Sequence, residues 1–183
     1  MRPLFCALLI GVSTAAAEGP QTFDLHQGTL TYTVVHKFHR VKGATHEVEG
    51  RALVQPGGGL RVQVRAKVAS FDSGNSNRDE HMREVTHEPA HPYVQIKGTA
   101  AGVTLPISAP ADVVLQGTLD FNGQQQPEQI KVHLEPLEGG VRARFSFPIS
   151  LGAFQVERPE LLLVKIEDKA TIEGDLVFVK PKS

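Results

Sequence analysis

The sequence predicts an antiparallel all-β fold with one short helix, and three observations support this prediction. Apolar and polar residues alternate with a period of two over most of the chain, which is typical of strands that bury one face. Glycine-rich turn signals separate these runs at the spacing of hairpins. No pattern long enough for a crossover helix lies between them. We therefore expect roughly eight to ten strands, which a two-layer sandwich and a closed barrel would both satisfy.

The strands are predicted where the alternation is most regular. Residues 29–38 place Leu30, Tyr32 and Val34 on one face and threonines on the other, and residues 60–68 alternate apolar residues with arginine, glutamine and lysine. Five further runs are predicted as strands, at residues 93–98, 113–121, 130–135, 141–147 and 171–179. The turn signals between strands are PGGG at 56–59, NG at 122–123 and EGG at 138–140.

One segment, residues 75–88, lacks this alternation and predicts the helix. Asn77 is followed three residues later by Glu80, a spacing that favours an N-cap with its reciprocal partner. Met82 and Val85 then fall on one side of a helix expected over 78–86. We expect that apolar side to dock over one end of the sheet.

The beginning of the sequence is typical of a secretory signal peptide, which we assign to residues 1–17. Arg2 gives it a positive start, residues 4–12 form an apolar core too short to span a membrane, and residues 15–17 offer small side chains for cleavage. We expect cleavage just before Glu18. The protein is therefore expected in the periplasm or secreted.

The remaining residues, 18–183, are predicted to form a single domain. The only cysteine, Cys6, lies within the expected signal peptide, so the exported domain would contain neither a disulfide nor a cysteine-bound metal. A formal net charge of −1 gives no electrostatic reason to expect a nucleic-acid partner.

Motifs that would indicate catalysis are not found in the sequence of the exported domain. It contains no G-x-S-x-G nucleophile elbow, no phosphate-binding loop and no dinucleotide fingerprint. We therefore expect a protein that is not an enzyme and needs no cofactor.

The stretch HEPAH at 87–91 matches the H-E-x-x-H pattern of zinc peptidases, but its own residues argue against that interpretation. A zinc peptidase needs both histidines one turn apart on an unbroken helix. Pro89 lies inside the motif, has no amide hydrogen and disfavours a helical conformation at Glu88. We interpret the stretch as a kinked exit from the short helix.

The eight histidines of the chain also suggest a weaker alternative, a metal site assembled in space. His36, His81, His87 and Asp79 could supply nitrogen and oxygen ligands. Because no spacing in the sequence supports such a site, we expect no bound metal.

Polar residues at the end of the first predicted strand suggest a different role. His36 lies two residues after Val34, so strict alternation places its side chain on the same inward face, together with that of Phe38. Lys37 and residues 39–42 form the only concentrated basic stretch, which could face solvent or meet an anionic head group.

Several ordered motifs resemble the YceI-like family of exported, lipocalin-like polyisoprenoid-binding proteins. Residues 70–82, SFDSGNSNRDEHM, contain the Arg-Asp-x-His-Met order with which that family opens a helix, and Pro92 precedes the next strand as it does there. Residues 34–43, VVHKFHRVKG, resemble the early family pattern v-x-H followed by v-x-G. Residues 115–127, LQGTLDFNGQQQP, resemble its strand and turn before a proline. The resemblance extends from about residue 22 to residue 179.

This resemblance implies a lipocalin-like antiparallel β-barrel of about eight strands around a long apolar cavity. It further implies an isoprenoid ligand such as a polyprenyl phosphate or a quinone. The predicted ligand contacts are Leu30, Tyr32, Val34, His36, Phe38, Val62, Val64, Val68, Phe71, Arg78, His81, Met82, Leu115, Leu119, Phe121, Val132, Phe145, Phe147, Ile172 and Leu176. The candidates for contact with a head group are His36, His39, Arg40 and Arg78.

One alternative is a small barrel filled by its own side chains, which would serve as a stress or interaction module without a ligand. A membrane-associated delivery partner and a homodimer are both left open by the sequence.

Overall fold

The computed structural model describes residues 19–36, 39–158 and 167–181. The expected signal peptide and Phe38 lie outside the described residues, as does the side chain of His36. The strands are β1 (Gln21–His36), β2 (His39–Thr45), β3 (Val48–Val54), β4 (Leu60–Lys67), β5 (Tyr93–Ala100), β6 (Ala111–Phe121), β7 (Gln124–Leu137), β8 (Gly140–Ser150) and β9 (Lys169–Val179). One helix, α1 (Ser76–Val85), and a 3₁₀ turn (Val68–Ser70) lie between β4 and β5. No helix in this part of the chain is long and apolar enough to cross a membrane.

The strands close into an eight-stranded antiparallel barrel, which confirms the predicted fold class and decides between barrel and sandwich. Closure depends on β1, which pairs with β3 on one side and with β9 on the other. β3 and β2 pair with successive parts of β1 in a single register. Asp24 pairs with Arg51 of β3 and Leu30 pairs with Thr45 of β2, so six residues along β1 correspond to six residues along its partners. The two short strands therefore occupy one position in the barrel, and a closed ring leaves no long free edge.

The antiparallel order places the connections alternately at the two ends of the barrel. We call one end the helix end; it is formed by α1, the turn at 122–123 and residues 151–158. We call the other the loop end; it is formed by the turn at 55–59, the loop 101–110 and the turn at 138–139. The apolar residues that alternate along the strands point inward between these two ends.

Strand β1 is longer than the sequence predicted, because it begins at Gln21 rather than at Thr29. The register of β1 against β9 shifts between Leu25 and Gln27, which marks a bulge. A bulge inserts an extra residue and so interrupts the period-two pattern by which strands are found in sequence.

The predicted cap of α1 is wrong by two residues. The helix begins at Ser76, and its N-cap is Asn75, whose Oδ1 accepts a hydrogen bond from the backbone N–H of Arg78 at 3.0 Å. Asn77 lies inside the first turn instead of before it. The reason is local: Gly74 has a φ of +75°, which turns the chain so that the extended Asn75 is the last residue before the helix.

Replacing the observed cap, Asn75→Ala, is expected to lower the free energy of unfolding by about 1 kcal/mol, because the Arg78 N–H loses its acceptor. The measurement is chemical denaturation followed by circular dichroism. Asn77→Ala is the matched control and should change stability by less than about 0.5 kcal/mol. Equal losses in the two variants would contradict the assignment of the cap to Asn75.

Candidate functional site

A cavity of about 1000 Å³ runs through the barrel and reaches residues at both of its ends. This volume lies at the upper end of the range of small-molecule pockets. Its wall is overwhelmingly apolar, since the inward-facing positions of the strands carry mostly valine, leucine, isoleucine and phenylalanine. The interior of the barrel is therefore hollow rather than filled by the protein's own side chains.

The structure brings most of the predicted contact residues together in the wall of this cavity. Those that line it are Leu30, Tyr32, Val34, Val62, Val64, Val68, Phe71, Arg78, His81, Met82, Leu115, Leu119, Phe121, Val132, Phe145, Phe147, Ile172 and Leu176. His39 and Arg40, at the start of β2, are exposed and are not part of the wall. Contact between these residues and a lipid stays a prediction.

The apolar face of α1 covers the helix end, as the sequence predicted. Met82 and Val85 both line the cavity, although Val85 is the last residue of a helix that was expected to continue to residue 86. Thr86 is the C-cap residue, and its hydroxyl donates a hydrogen bond to the carbonyl oxygen of Met82 at 2.8 Å.

Sequence reasoning missed the wall residues that lie in loops. At the loop end, Val103 is buried and Leu105 and Ile107 line the cavity beside it. The backbone N–H of Val103 donates to the carbonyl oxygen of Gly58 at 3.0 Å, which ties this loop to the turn between β3 and β4. At the helix end, Leu151 also lines the cavity, and its backbone N–H donates to the carbonyl oxygen of Asp168 at 2.7 Å. The sequence does contain a sign of these wall residues, because they are apolar residues within segments that are otherwise typical of exposed loops.

The charged residues that open α1 hold the preceding loop in place. The carboxylate of Asp79 is buried and accepts the backbone N–H of Ser73, at 3.1 and 3.2 Å from its two oxygens. Arg78 donates from Nε to the hydroxyl of Ser73 at 2.8 Å and from Nη2 to the Ser73 carbonyl at 2.6 Å. These hydrogen bonds fix both the loop and the first turn of the helix, so Arg78 is positioned at the edge of the cavity.

Tyr32 lies close to this charged pair. Burial raises the pKa of the Tyr32 hydroxyl, and the negative charge of Asp79 raises it further. The phenol therefore stays protonated at neutral pH and remains a hydrogen-bond donor. Its ring lies 5.7 Å from that of Phe71, centroid to centroid, and both rings line the cavity.

The HEPAH stretch follows the helix rather than lying on it, in agreement with its interpretation as a kinked exit. α1 ends at Val85, and His87 has a φ of +49°. The imidazole Nδ1 of His87 lies 3.0 Å from Oδ1 of Asn122, and the side-chain amide of Asn122 donates to the carbonyl oxygen of Phe154 at 2.9 Å. These contacts tie the exit of the helix to two other connections at the helix end.

The residues of the metal alternative have separate partners. Asp79 holds Ser73, His87 contacts Asn122, and Nδ1 of His81 lies 3.4 Å from a carboxylate oxygen of Glu84. Over residues 19–36, 39–158 and 167–181, no three histidine, cysteine, aspartate or glutamate side chains are grouped so that they could hold a metal ion.

The polar residues of the wall are concentrated at the helix end. Those at the helix end are Asn77, Arg78, His81, Thr86, Gln95, Glu157 and Arg158, whereas Thr31 lies within β1 and Gln21 and Lys180 lie at the loop end. Arg158 is itself paired, at 3.5 Å, with the carboxylate of Asp168. An apolar tube with most of its polar groups at one end can accept an amphiphile in a defined orientation.

Comparison with known proteins gives the family. The YceI-like domain matches residues 21–178, which is most of the chain. No curated protein matches the sequence. Solved structures with the same fold include a polyisoprenoid binding domain from Saccharophagus degradans implicated in plant cell wall breakdown, at 13% identity and a TM-score of 0.71, covering 88% of this chain and 99% of that one.

Two further structures are similar. BcnA from Burkholderia cenocepacia is 17% identical with a TM-score of 0.69, covering 82% of this chain and 95% of that one. The YCEI protein of Campylobacter jejuni is 16% identical with a TM-score of 0.58, covering 79% and 87%. At such identities the structures establish a common fold, while the match to the domain extends over all nine strands except the last residue of β9. The chain belongs to the YceI-like domain family.

Proposed function

We propose that this protein is an exported lipid carrier or store that holds one isoprenoid chain, such as that of a polyprenyl phosphate or a quinone, in the cavity of its barrel. The observation that supports the proposal most directly is the hollow apolar interior of about 1000 Å³. The similar domain from Saccharophagus degradans, which is named for polyisoprenoid binding, supports the same ligand class.

The apolar wall supplies the affinity for such a chain. Burial of each methylene contributes roughly 0.8 kcal/mol, so ten carbons contribute about 8 kcal/mol before the cost of ordering the ligand. The wall around the tail is overwhelmingly apolar, which suits the binding of a saturated or isoprenoid chain. The polar residues of the helix end would then orient the head group.

The first experiment is organic extraction of protein purified from its native host, followed by mass spectrometry of the extract. We expect about one isoprenoid lipid per chain. Protein that is recovered empty, and that takes up no isoprenoid alcohol in solution, would exclude the carrier function and favour a ligand-free interaction module.

The role of the head-group candidates can be tested with Arg78→Gln. We expect this variant to bind geranylgeranyl phosphate about tenfold more weakly, because a charge-assisted hydrogen bond contributes about 1.5–3 kcal/mol. Its affinity for geranylgeraniol, which has the same chain and no charge, should stay the same. Isothermal titration calorimetry measures both affinities.

The pair of ligands separates two roles of Arg78, since this residue also holds Ser73. A purely structural effect would weaken the binding of both lipids equally and would remove Arg78 from the head-group site. Arg40→Gln is the matched control, because Arg40 is exposed and lies outside the wall. It should leave both affinities unchanged.

A further inference from the structure

Two aromatic rings of the cavity wall occupy the space above glycines on neighbouring strands. Tyr32 of β1 is paired with Gly43 of β2, and Phe145 of β8 is paired with Gly174 of β9. A Cβ atom on Gly43 would lie 2.5 Å from two ring carbons of Tyr32, and one on Gly174 would lie closer still to the ring of Phe145. Carbon atoms that are not bonded prefer separations of about 3.5–4.0 Å. Any other residue at these two positions would therefore displace the ring.

These glycines stand where the strand pattern calls for an apolar side chain. Gly174 lies between Ile172 and Leu176, which both point into the cavity, and in β1 it pairs with Leu30. The next pair along β1 and β9 repeats the arrangement, since a Cβ atom on Gly28 would lie 2.6 Å from Cδ2 of Leu176. Successive levels of the barrel thus combine one large inward side chain with one glycine beside it.

The consequence is a wide cavity in spite of large wall residues. A ring that lies over a glycine becomes part of the wall, whereas a ring pushed off by a Cβ atom must enter the cavity, because the strands on either side are fixed by their ladder of hydrogen bonds. The displacement is about 1.5–2 Å, since the nearest ring atom of Phe145 must move to a normal separation of about 3.5–4.0 Å from the added Cβ atom. The methyl groups that project from its chain, together with its double bonds, distinguish an isoprenoid from a straight alkyl chain.

We propose that the pairs Gly43–Tyr32 and Gly174–Phe145 set the width of the cavity and thereby make it selective for methyl-branched chains over straight ones. This inference rests on the proposed function and specifies it, because it names the residues that distinguish an isoprenoid lipid from a fatty alcohol of equal length. Gly174 and Phe145 are the specificity-determining pair that is simplest to test.

The test compares geranylgeraniol with 1-hexadecanol, which share a sixteen-carbon main chain and differ in the four methyl branches and the four double bonds of geranylgeraniol. Phytanol, which has the same four branches and a saturated chain, separates the effect of the branches from that of the double bonds. Wild-type protein should bind geranylgeraniol more tightly. In Gly174→Ala, the displaced ring should weaken the binding of geranylgeraniol by about tenfold, the equivalent of fewer than two buried methyl groups, and should leave 1-hexadecanol nearly unaffected. Native mass spectrometry and displacement of a fluorescent probe give the two affinities.

Three variants complete the design. Gly174→Ala combined with Phe145→Ala should recover the binding of geranylgeraniol, since no ring is left to displace. Phe145→Ala alone also removes the contact between this ring and the ligand, so it is the reference that the double variant should equal. Gly19→Ala is the control for adding a methyl group, because nothing lies within 4 Å of the added Cβ atom.

The outcomes separate this inference from the proposed function. Wild-type protein that binds neither alcohol would contradict the proposed function itself. Wild-type protein that binds both, with a preference that is the same in Gly174→Ala and in the double variant, would contradict only the role of the glycines. If Gly174→Ala fails to fold, Gly43→Ala tests the same inference through the ring of Tyr32, and an unchanged preference in that variant would also overturn it.

Discussion

Replacement of Phe154 by alanine is expected to lower the free energy of unfolding by about 3–5 kcal/mol, the largest loss of stability that we predict for a single side chain. Phe154 is only 1% exposed and is one of the most completely buried side chains among the described residues. It lies at the helix end, where its ring is 5.7 Å from that of Phe121. It is not part of the cavity wall, so protein atoms surround it on all sides and its removal leaves a new void.

The control is Phe147→Ala, which removes the same atoms from a residue that lines the cavity. Phe147 is 7% exposed, so it is nearly as buried as Phe154, but one side of its ring faces empty space. Because fewer contacts are lost, we expect a smaller loss of about 2–3 kcal/mol. Urea denaturation of both variants without ligand measures the difference. Equal losses would mean that the middle of the barrel is packed as tightly as its end.

The sequence predicted seven of the nine strands in the described part of the chain and missed β2 and β3, which are short and contain few regularly alternating apolar residues. The physical reason for the successful predictions is simple. In a strand the side-chain period is two, so Leu30, Tyr32 and Val34 had to share a face whatever the final fold. The closure of that sheet could not be predicted from periodicity. It depends on the pairing of β1 with β9, two segments at opposite ends of the chain, and a sandwich would show the same alternation.

The failures at the helix have a local cause that the sequence only hints at. In the order Asn75-Ser76-Asn77, either asparagine is a good N-cap by type. Two features of the structure favour Asn75: the turn at Gly74, and the hydrogen bonds at Ser73, which donates its N–H to Asp79 and accepts a hydrogen bond from Arg78. They place the start of the helix two residues closer to the N-terminus. Propensity alone cannot include such contacts, because they exist only after the loop has docked.

The candidate site was predictable where it is built from strands and not where it is built from loops or glycines. Val103 is brought to the wall by a hydrogen bond to Gly58, a residue far away in sequence. Gly174 interrupts the inward apolar pattern of β9, and in the sequence such a glycine suggests a bulge or a weak point in the strand. The structure explains this glycine through its partner on β8, because the ring of Phe145 occupies the space that a side chain at residue 174 would need.

Replacement of Ala143 by phenylalanine is expected to weaken the binding of geranylgeraniol by about a hundredfold, because the added ring displaces the equivalent of three or four buried carbons. Ala143 is buried in the middle of β8, lines the cavity and pairs with Leu134 and Leu176 on its two neighbouring strands. Since the ring enters space that is empty without ligand, the free energy of unfolding should change by less than about 1 kcal/mol. Calorimetric titration and chemical denaturation measure the two effects.

The same substitution at Ala66 shows what would happen in a filled interior. Ala66 is 2% exposed and points inward from β4, but it does not line the cavity, so a phenylalanine there has no space to enter. Overpacking of this kind costs about 1–3 kcal/mol or more. If Ala143→Phe proves as destabilising as Ala66→Phe, the barrel contracts around its interior in solution, and a carrier that depends on an open cavity is ruled out. Tolerance at Ala143 together with loss of binding would connect the empty volume directly to the ligand, since one added ring would remove binding and leave stability unchanged.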